Sequence, residues 1–136
     1  MNESQITVLL VEPGKYPKEI KIDDSLEAMQ DLVGGYIEEY MPYEDEVAII
    51  CNEEGKMNGL PLNRAIYSGD KEMIDIICGE FFVAYAPLES ESFLSMPKDL
   101  MEKYREEFKY PERFSRNLSG DIIAEKYKPK SIDYER

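Results

Sequence analysis

Seven acidic side chains and no basic side chain lie between residues 38 and 54, and this segment is the densest concentration of one charge in the chain. Carboxylates at such density can pair with a basic protein, imitate the phosphates of DNA, or hold a hard cation such as Ca²⁺ or Mg²⁺. The DxDxDG spacing of a calcium loop is absent here. A solvated face that protects a sheet edge against aggregation explains the same residues without any ligand.

Three tyrosines lie within or beside the first of these acids, between residues 36 and 43. Tyrosine beside carboxylates favours protein recognition, because the ring adds contact area at a small cost in conformational entropy. The alternative is that these rings are ordinary half-buried strand residues. Adjacent glutamates on a strand point to opposite faces, so no working acid–base pair is predicted there. The candidate interaction surface comprises Tyr36, Glu38, Glu39, Tyr40, Glu44, Asp45 and Glu46.

A second candidate is the polar pair Asn63 and Arg64, which interrupts the apolar segment GLPLNRAIY. An arginine held in a fixed orientation can bind a carboxylate or a phosphate through two parallel hydrogen bonds. The pair could therefore be the anion contact of a small-molecule-binding domain. The competing interpretation is a structural arginine that pairs with one of the many acids and fixes the loop.

The chain lacks the residues that several classes of enzyme chemistry require. The chain has no histidine, which removes the commonest general base and metal ligand and excludes a Ser-His-Asp triad. Neither GxxxxGK[ST] nor GxGxxG occurs. Cys51 and Cys78 each end an apolar IIC run and are predicted to be reduced core thiols, although a disulfide between neighbouring strands stays open. We therefore predict no catalytic residue, no metal ligand and no cofactor, and we expect a metal-dependent hydrolase only as a weaker alternative.

The net charge of -13 restricts the partners, because it repels phosphate backbones. Direct nucleic-acid binding is not expected, whereas a basic or DNA-binding protein partner is. The longest apolar runs, VAIIC and FFVAYA, are too short to span a bilayer, and the N-terminus has no basic start or apolar signal core. A cytoplasmic location without membrane association is therefore predicted. The sequence does not predict an oligomeric state.

The elements that must position these residues are mostly strands. Runs of β-branched and aromatic residues, or alternation of charged and apolar residues, indicate strands. The predicted strands cover residues 6–12, 18–23, 47–51 and 81–86, with a Pro13-Gly14 turn joining the first two. Residues 36–42 are either a strand or an irregular crossing, and LNRAIY is a short strand or a helical turn.

Two helices are predicted. The first covers residues 24–33, with Asp24 as N-cap, Glu27 at capping-box spacing, and Gly34 and Gly35 as the stop signal. The second covers residues 97–108, with Ser95 as a candidate N-cap and Pro97 near the start, where proline is tolerated.

The C-terminal part differs in charge. Residues 112–136 carry six bases and five acids, whereas residues 1–111 carry ten bases and 24 acids. We predict a compact domain over residues 1–111 and a charged extension over residues 112–136, in which SGDIIAEKY forms a short docked helix.

The succession of ITVLLVEPG, DDSLEAMQDLVGGYIE, GLPLNRAIY and IICGEFFVAYA resembles the family known as domain of unknown function 3846. The resemblance covers about residues 6–111, and its most specific parts are VGGYIE, Asn63-Arg64 and Gly79 before an aromatic run. It implies a small α+β domain found in Firmicutes, their phages and their mobile elements. It implies no established activity and no catalytic residue, and the charged extension lies outside it.

Together these observations predict an α+β fold, in which a mostly antiparallel sheet of four to six strands packs with two main helices. They predict a non-enzymatic, acidic protein-interaction module of a bacterium or mobile element. The alternatives are an anion-binding domain that uses Asn63 and Arg64, and a metal-dependent hydrolase.

Overall fold

The computed structural model of the protein describes residues 4–129. Within this range the elements are β1 (Gln5–Val11), β2 (Lys18–Asp23), α1 (Leu26–Val33), β3 (Ile37–Tyr40), β4 (Val47–Asn52), β5 (Leu62–Tyr67), β6 (Met73–Cys78), β7 (Phe81–Tyr85), α2 (Lys98–Glu107), β8 (Glu112–Arg116) and β9 (Ile122–Lys126).

The largest element of the fold is a five-stranded sheet with the order β2-β1-β7-β4-β3. Each neighbouring pair of its strands is antiparallel. The central strand β7 is buried over Phe81–Ala84, as its aromatic and β-branched sequence requires. The predicted α+β fold with a mostly antiparallel sheet and two main helices is therefore confirmed.

Alternation along the strands divides the core between the two faces of this sheet. On one face, residues such as Val8, Ile50 and Phe82 pack with Met29 and Val33 of α1. On the other face, a second cluster includes α2 and the small β5–β6 sheet. Its buried members include Leu9, Ile49, Ile66, Ile77, Phe81, Met101, Tyr104 and Phe108.

The β1–β2 hairpin has the predicted turn, since Gly14 has a φ of 76° and Lys15 N–H donates to the Glu12 carbonyl at 3.3 Å. The ends of the first helix differ in part from the prediction. Ser25, not Asp24, caps α1, because its Oγ accepts a hydrogen bond from the Ala28 N–H at 3.1 Å. Gly34 ends the helix with a φ of 80°, as predicted.

The predicted N-cap of the second helix was also wrong. Pro97 is the residue before α2 and makes no side-chain cap. The Ser95 hydroxyl instead accepts a hydrogen bond from the Thr7 N–H of β1 at 2.9 Å. Ser95 therefore fixes the segment before α2 against the sheet rather than capping the helix.

The two segments left open by the sequence are strands. Residues 36–42 contain β3, and LNRAIY forms β5, which pairs with β6 in a separate two-stranded sheet. Cys51 and Cys78 are free and buried.

The predicted helix in the C-terminal extension is corrected to a hairpin of β8 and β9. The Asn117 N–H donates to the Asp121 carbonyl, and Gly120 supplies the positive φ that the tight turn needs. At the start of β8, the buried Glu112 carboxylate accepts a hydrogen bond from the Ala65 N–H at 2.9 Å, so the hairpin contacts the edge of β5. Residues 130–136 of the predicted extension lie outside the described residues.

Neither helix found between residues 4 and 129 has the length and apolarity needed to cross a bilayer.

Candidate functional site

The acidic segment begins on an edge strand of the large sheet. β3 is the last strand in the sheet order, and it pairs with β4 on one side. The turn from α1 is fixed by Asn52, whose Nδ2 donates to the carbonyl of Val33, the last residue of α1, at 3.1 Å. Immediately after that turn, Tyr36 projects with 70% of its surface exposed. The edge is therefore joined to the core through Asn52 and β4, whereas no strand pairs with its outer side in the part of the chain described.

The register of β3 shows which backbone groups face outward. The Glu53 N–H donates to the Tyr36 carbonyl at 2.8 Å, and Glu38 lies opposite Cys51 in the same register. In an antiparallel ladder, alternate residues exchange hydrogen bonds with the neighbouring strand. The N–H and C=O groups of Ile37 and Glu39 therefore point away from β4.

The side chains of β3 alternate between the two faces of the sheet. Ile37 packs with the α1 cluster, whereas Tyr40 packs with the α2 cluster. Glu39 therefore lies on the α1 side and Glu38 on the α2 side, and both are exposed. Tyr40 is half-buried, as the alternative interpretation of the tyrosines predicted. The seven predicted surface residues thus do not form one continuous face.

Two of the predicted acids make specific bonds inside the protein. The Asp45 carboxylate accepts hydrogen bonds from Lys103 Nζ at 2.6 Å and from the Tyr104 hydroxyl at 2.8 Å. These bonds, first that from Lys103, lower the pKa of Asp45. The Glu46 carboxylate accepts a hydrogen bond from the Leu88 N–H at 2.9 Å. Both acids therefore fasten loops to the body, and we assign them a structural role.

Four predicted residues stay exposed to solvent, and we call them the acidic edge: Tyr36, Glu38, Glu39 and Glu44. Within residues 4–129, none of the three glutamates forms an ion pair, whereas the neighbouring Asp75 pairs with Lys56. The charges of the acidic edge are thus available to a partner.

Two tyrosines beside the edge, Tyr43 and Tyr104, should respond differently when their hydroxyl groups are removed. The rings of Tyr43 and Tyr104 lie 5.1 Å apart, and the Tyr104 hydroxyl bonds to Asp45. The Tyr43 hydroxyl is buried without a hydrogen-bond partner among the described residues. We expect Tyr104→Phe to lower the free energy of unfolding by about 1 kcal/mol and Tyr43→Phe to leave it unchanged or to raise it. Urea denaturation of both variants checks this, and equal losses would contradict the assignment.

Cavities flank β3 on both faces. One, of about 260 Å³, lies on the α2 side and is lined by residues that include Glu38, Cys51 and Cys78. Burial raises the pKa of the Cys51 thiol to about 12, so this cysteine is a neutral thiol and a weak nucleophile near neutral pH. The other cavity, of about 420 Å³, lies on the α1 side and includes Glu39 and Met41 in its lining.

The second predicted pair, Asn63 and Arg64, lies in the interior. Arg64 is fully buried. Its Nε and one terminal nitrogen donate to the Phe108 carbonyl at 3.1 and 2.9 Å, and that terminal nitrogen also donates to the Lys15 carbonyl at 2.7 Å. The other terminal nitrogen donates to Asn63 Oδ1 at 2.8 Å. Asn63 Nδ2 in turn donates to the carbonyls of Val11 and Gly79.

These bonds give the pair a structural function. They connect β5 to the β1–β2 hairpin and to the C-terminal end of α2, where the helix dipole favours a positive charge. Burial lowers the pKa of Arg64 to about 10, with a smaller opposing effect of Glu112. All three guanidinium nitrogens are bonded to oxygen atoms of the chain. The geometry therefore favours the structural interpretation, with backbone carbonyls in place of the expected acid.

No group of three or more aspartate, glutamate or cysteine side chains is placed to hold a metal ion between residues 4 and 129. The metal-dependent hydrolase thus gains no support from the geometry of this region.

Sequence reasoning missed the partners of the acidic segment. Lys103 and Tyr104 meet Asp45 from α2, nearly sixty residues away, and no local pattern announces that contact. The flanking cavities depend on loop placement in the same way. An edge position for β3 could have been suspected only from its short length and its charge.

Comparison with known proteins adds a family and nothing on activity. The family described as domain of unknown function (DUF3846) matches residues 6–109. No curated protein and no solved structure matches the chain. The matched range covers most of the chain and includes β1 to α2, so it contains both sheets of the main body. The predicted resemblance is thereby confirmed, and the chain belongs to the family of domain of unknown function 3846.

Proposed function

We propose that this protein is a non-enzymatic interaction module that binds a basic protein partner through the acidic edge. The observation that supports this most directly is the exposure of Glu38 and Glu39 on the edge strand β3 and of Glu44 in the segment that follows it. None of the three forms an ion pair with another residue between 4 and 129. Their charges have one sign, and a basic partner supplies the complementary charge. Tyr36 adds an exposed aromatic ring immediately before the first residue of the same strand.

The opposite edge of the sheet offers a useful contrast. β2 carries Lys18 and Lys21 among its acids, and its Glu19 pairs with Arg105 of α2. Charged side chains of either sign discourage pairing at an exposed edge, so the two edges differ in the sign of their charge. The charge of a single sign on β3 is therefore a local property and not only a consequence of the overall net charge.

The setting that we propose is the cytoplasm of a bacterium or of a cell that carries a mobile element. Two free, buried cysteines accord with a reducing compartment. The partner class includes DNA-binding proteins, because a surface that binds phosphates is also suited to a row of carboxylates.

The test is protein capture with Glu38, Glu39 and Glu44 all changed to Gln. We expect the wild-type protein, immobilised and exposed to lysate of the source cell, to retain basic proteins at low salt. Salt should release them, because exposed charges are screened beyond about 10 Å at 0.1 M. The triple variant should retain at least about tenfold less, since each exposed pair contributes up to about 1 kcal/mol. Mass spectrometry gives the retained amounts.

A matched control removes the same charge elsewhere. Glu72, Glu102 and Glu106 are exposed and lie outside the acidic edge, so changing them to Gln should leave capture intact. Equal losses in the two triple variants would reduce the effect to net charge. Identical protein lists for the wild type and the edge variant would overturn the proposal.

A further inference from the structure

The outer side of β3 offers main-chain hydrogen bonds as well as charge. The N–H and C=O groups of Ile37 and Glu39 face away from β4, and within residues 4–129 no strand pairs with that side. Such an edge is a template for an added strand, in which main-chain bonds give affinity and pockets beside the edge select side chains.

The two cavities that flank β3 fit this type of recognition. A strand added beside β3 would direct alternate side chains to the two faces of the sheet. On the α2 face they would meet the cavity lined by Glu38 and Glu53, together with Lys56, which already pairs with Asp75. On the α1 face they would meet the larger groove, where Glu39 and Glu91 accompany Ile37 and Met41. Each face thus combines acidic groups with apolar surface.

A second copy of this chain is a poor occupant of the edge. Pairing β3 with another β3 would bring the glutamates of two copies together. Like charges on neighbouring strands are destabilising. Lysine or arginine at the same positions would form opposite-charge pairs, which stabilise a sheet.

We infer that an extended basic protein segment binds by adding to β3 as a sixth strand of the large sheet, with its basic side chains beside Glu38 and Glu39. This inference rests on the proposed function and specifies how the acidic edge recognises its partner. The large sheet would then continue in the order β2-β1-β7-β4-β3-partner. Hydrogen bonds to Ile37 and Glu39 would supply the main-chain part of the affinity.

The probe is a fluorescent peptide of repeated Lys-Lys-Val-Val, about nine residues long, which spans β3 with overhang at about 3.3 Å per residue and places lysines on both faces of the sheet. Its counterpart replaces each valine by proline, which keeps the charge and removes main-chain donors. We expect the lysine–proline peptide to bind at least about tenfold more weakly, because one or two main-chain hydrogen bonds are lost. Fluorescence anisotropy at low salt measures both affinities.

Two variants of one residue separate main-chain bonding from charge. Glu39→Gln removes the carboxylate, whereas Glu39→Pro also removes an N–H that β4 does not use, so the β3–β4 ladder keeps its bonds. Glu39→Pro should therefore bind the lysine–valine peptide about tenfold more weakly than Glu39→Gln. Glu102→Gln, on α2, should bind like the wild type. Circular dichroism of each variant checks that the fold is retained.

Amide hydrogen exchange on the wild-type protein gives a readout that needs no variant. The amides of Ile37 and Glu39 should exchange more slowly with the lysine–valine peptide bound, and those of β2 should not change. Equal binding of both peptides, with no new amide protection, would overturn strand addition and leave the proposed function standing. If neither peptide binds, strand addition and the proposed function are both overturned. The same holds if changing Glu38, Glu39 and Glu44 to Gln does not weaken binding. Dimerisation through β3 in the free protein would make a second copy the occupant and also overturn the inference.

Discussion

Replacing Arg64 by alanine is expected to lower the free energy of unfolding by about 3–5 kcal/mol, since hydrogen bonds from a charged group contribute about 1.5–3 kcal/mol each and buried acceptors would lose their donors. The guanidinium is fully buried and donates to the carbonyls of Phe108 and Lys15. The Phe108 carbonyl stays buried after the change, whereas Lys15 lies in an exposed turn. Because domains of this size are stable by only about 5–15 kcal/mol, the variant should be close to its unfolding midpoint on mild heating.

Two further substitutions at this position separate charge from geometry. Arg64→Lys keeps a positive charge but cannot reach separate carbonyls with one planar group, so it should recover less than half of the loss. Arg64→Met keeps most of the side-chain volume and none of the donors, so it should lose less stability than Arg64→Ala, which also leaves a cavity. Arg105→Ala is the matched control, because Arg105 pairs with Glu19 at the surface and such pairs contribute less than about 1 kcal/mol.

Urea denaturation followed by circular dichroism gives the four free energies. A loss below about 1 kcal/mol for Arg64→Ala would show that the buried hydrogen bonds are not needed for stability. The structural role of the guanidinium would then be rejected, and anion binding by Asn63 and Arg64 would become the favoured interpretation. Arg64→Ala could also lose much stability while the molecules that remain folded still capture the partner. Arg64 would then support the fold that carries the acidic edge and would not itself contact the partner.

The strands that carry strong local patterns could be predicted from the sequence. The β-branched run at residues 6–12 and the alternation at residues 18–23 correspond to β1 and β2, and Pro13-Gly14 forms the turn between them. Burial of one or both faces of a strand determines which positions are apolar, so the periodicity of the sequence is sufficient to predict these strands. Gly34 is similar, because a helix that ends in the left-handed region favours glycine whatever the tertiary fold.

Features that depend on long-range contacts could not be predicted. Arg64 is bonded to carbonyls 44 and 49 residues away along the chain, and carbonyls carry no residue identity that a sequence could reveal. Ser95 is a residue type that commonly caps helices, yet its hydroxyl accepts a hydrogen bond from the Thr7 N–H of β1. The β8–β9 hairpin forms where a helix was predicted, because β9 pairs with β8 along its length through the turn at Gly120. The bond between Glu112 and the Ala65 N–H then holds the hairpin against β5.

The candidate surface illustrates the same division between local and long-range information. Composition alone identified the acids of residues 38–46, and the structure divides them by what they contact. Asp45 and Glu46 bond to α2 and to the loop after β7, whereas Glu38, Glu39 and Glu44 stay exposed. A charge-reversal variant of all five acids would therefore mix a stability defect with a binding defect, which is why only the exposed three are changed in the capture experiment.

The second large effect is expected from Phe108→Ala, which should lower the free energy of unfolding by about 3–5 kcal/mol because it leaves a cavity in the interior. The Phe108 ring is 2% exposed and meets Phe81 edge-on, with ring centroids 5.3 Å apart. It lies at the C-terminal end of α2, and its carbonyl accepts the hydrogen bonds of Arg64. Packing and hydrogen bonding therefore fix the same helix end.

The shared helix end makes the two large effects interdependent. Once Phe108→Ala has loosened the end of α2, removing the donors of Arg64 should cost less, and the double variant should deviate from additivity by at least about 0.5 kcal/mol. If the alanine variants are too unstable to fold, Phe108→Leu replaces Phe108→Ala in the double-mutant cycle. It should lose less free energy of unfolding because most of the side-chain volume is kept. Phe114→Ala, half-buried in the C-terminal hairpin, is the control and should lose less than half as much. Strict additivity in urea denaturation would mean that Arg64 acts mainly on the β1–β2 hairpin through Lys15 and not on the helix end.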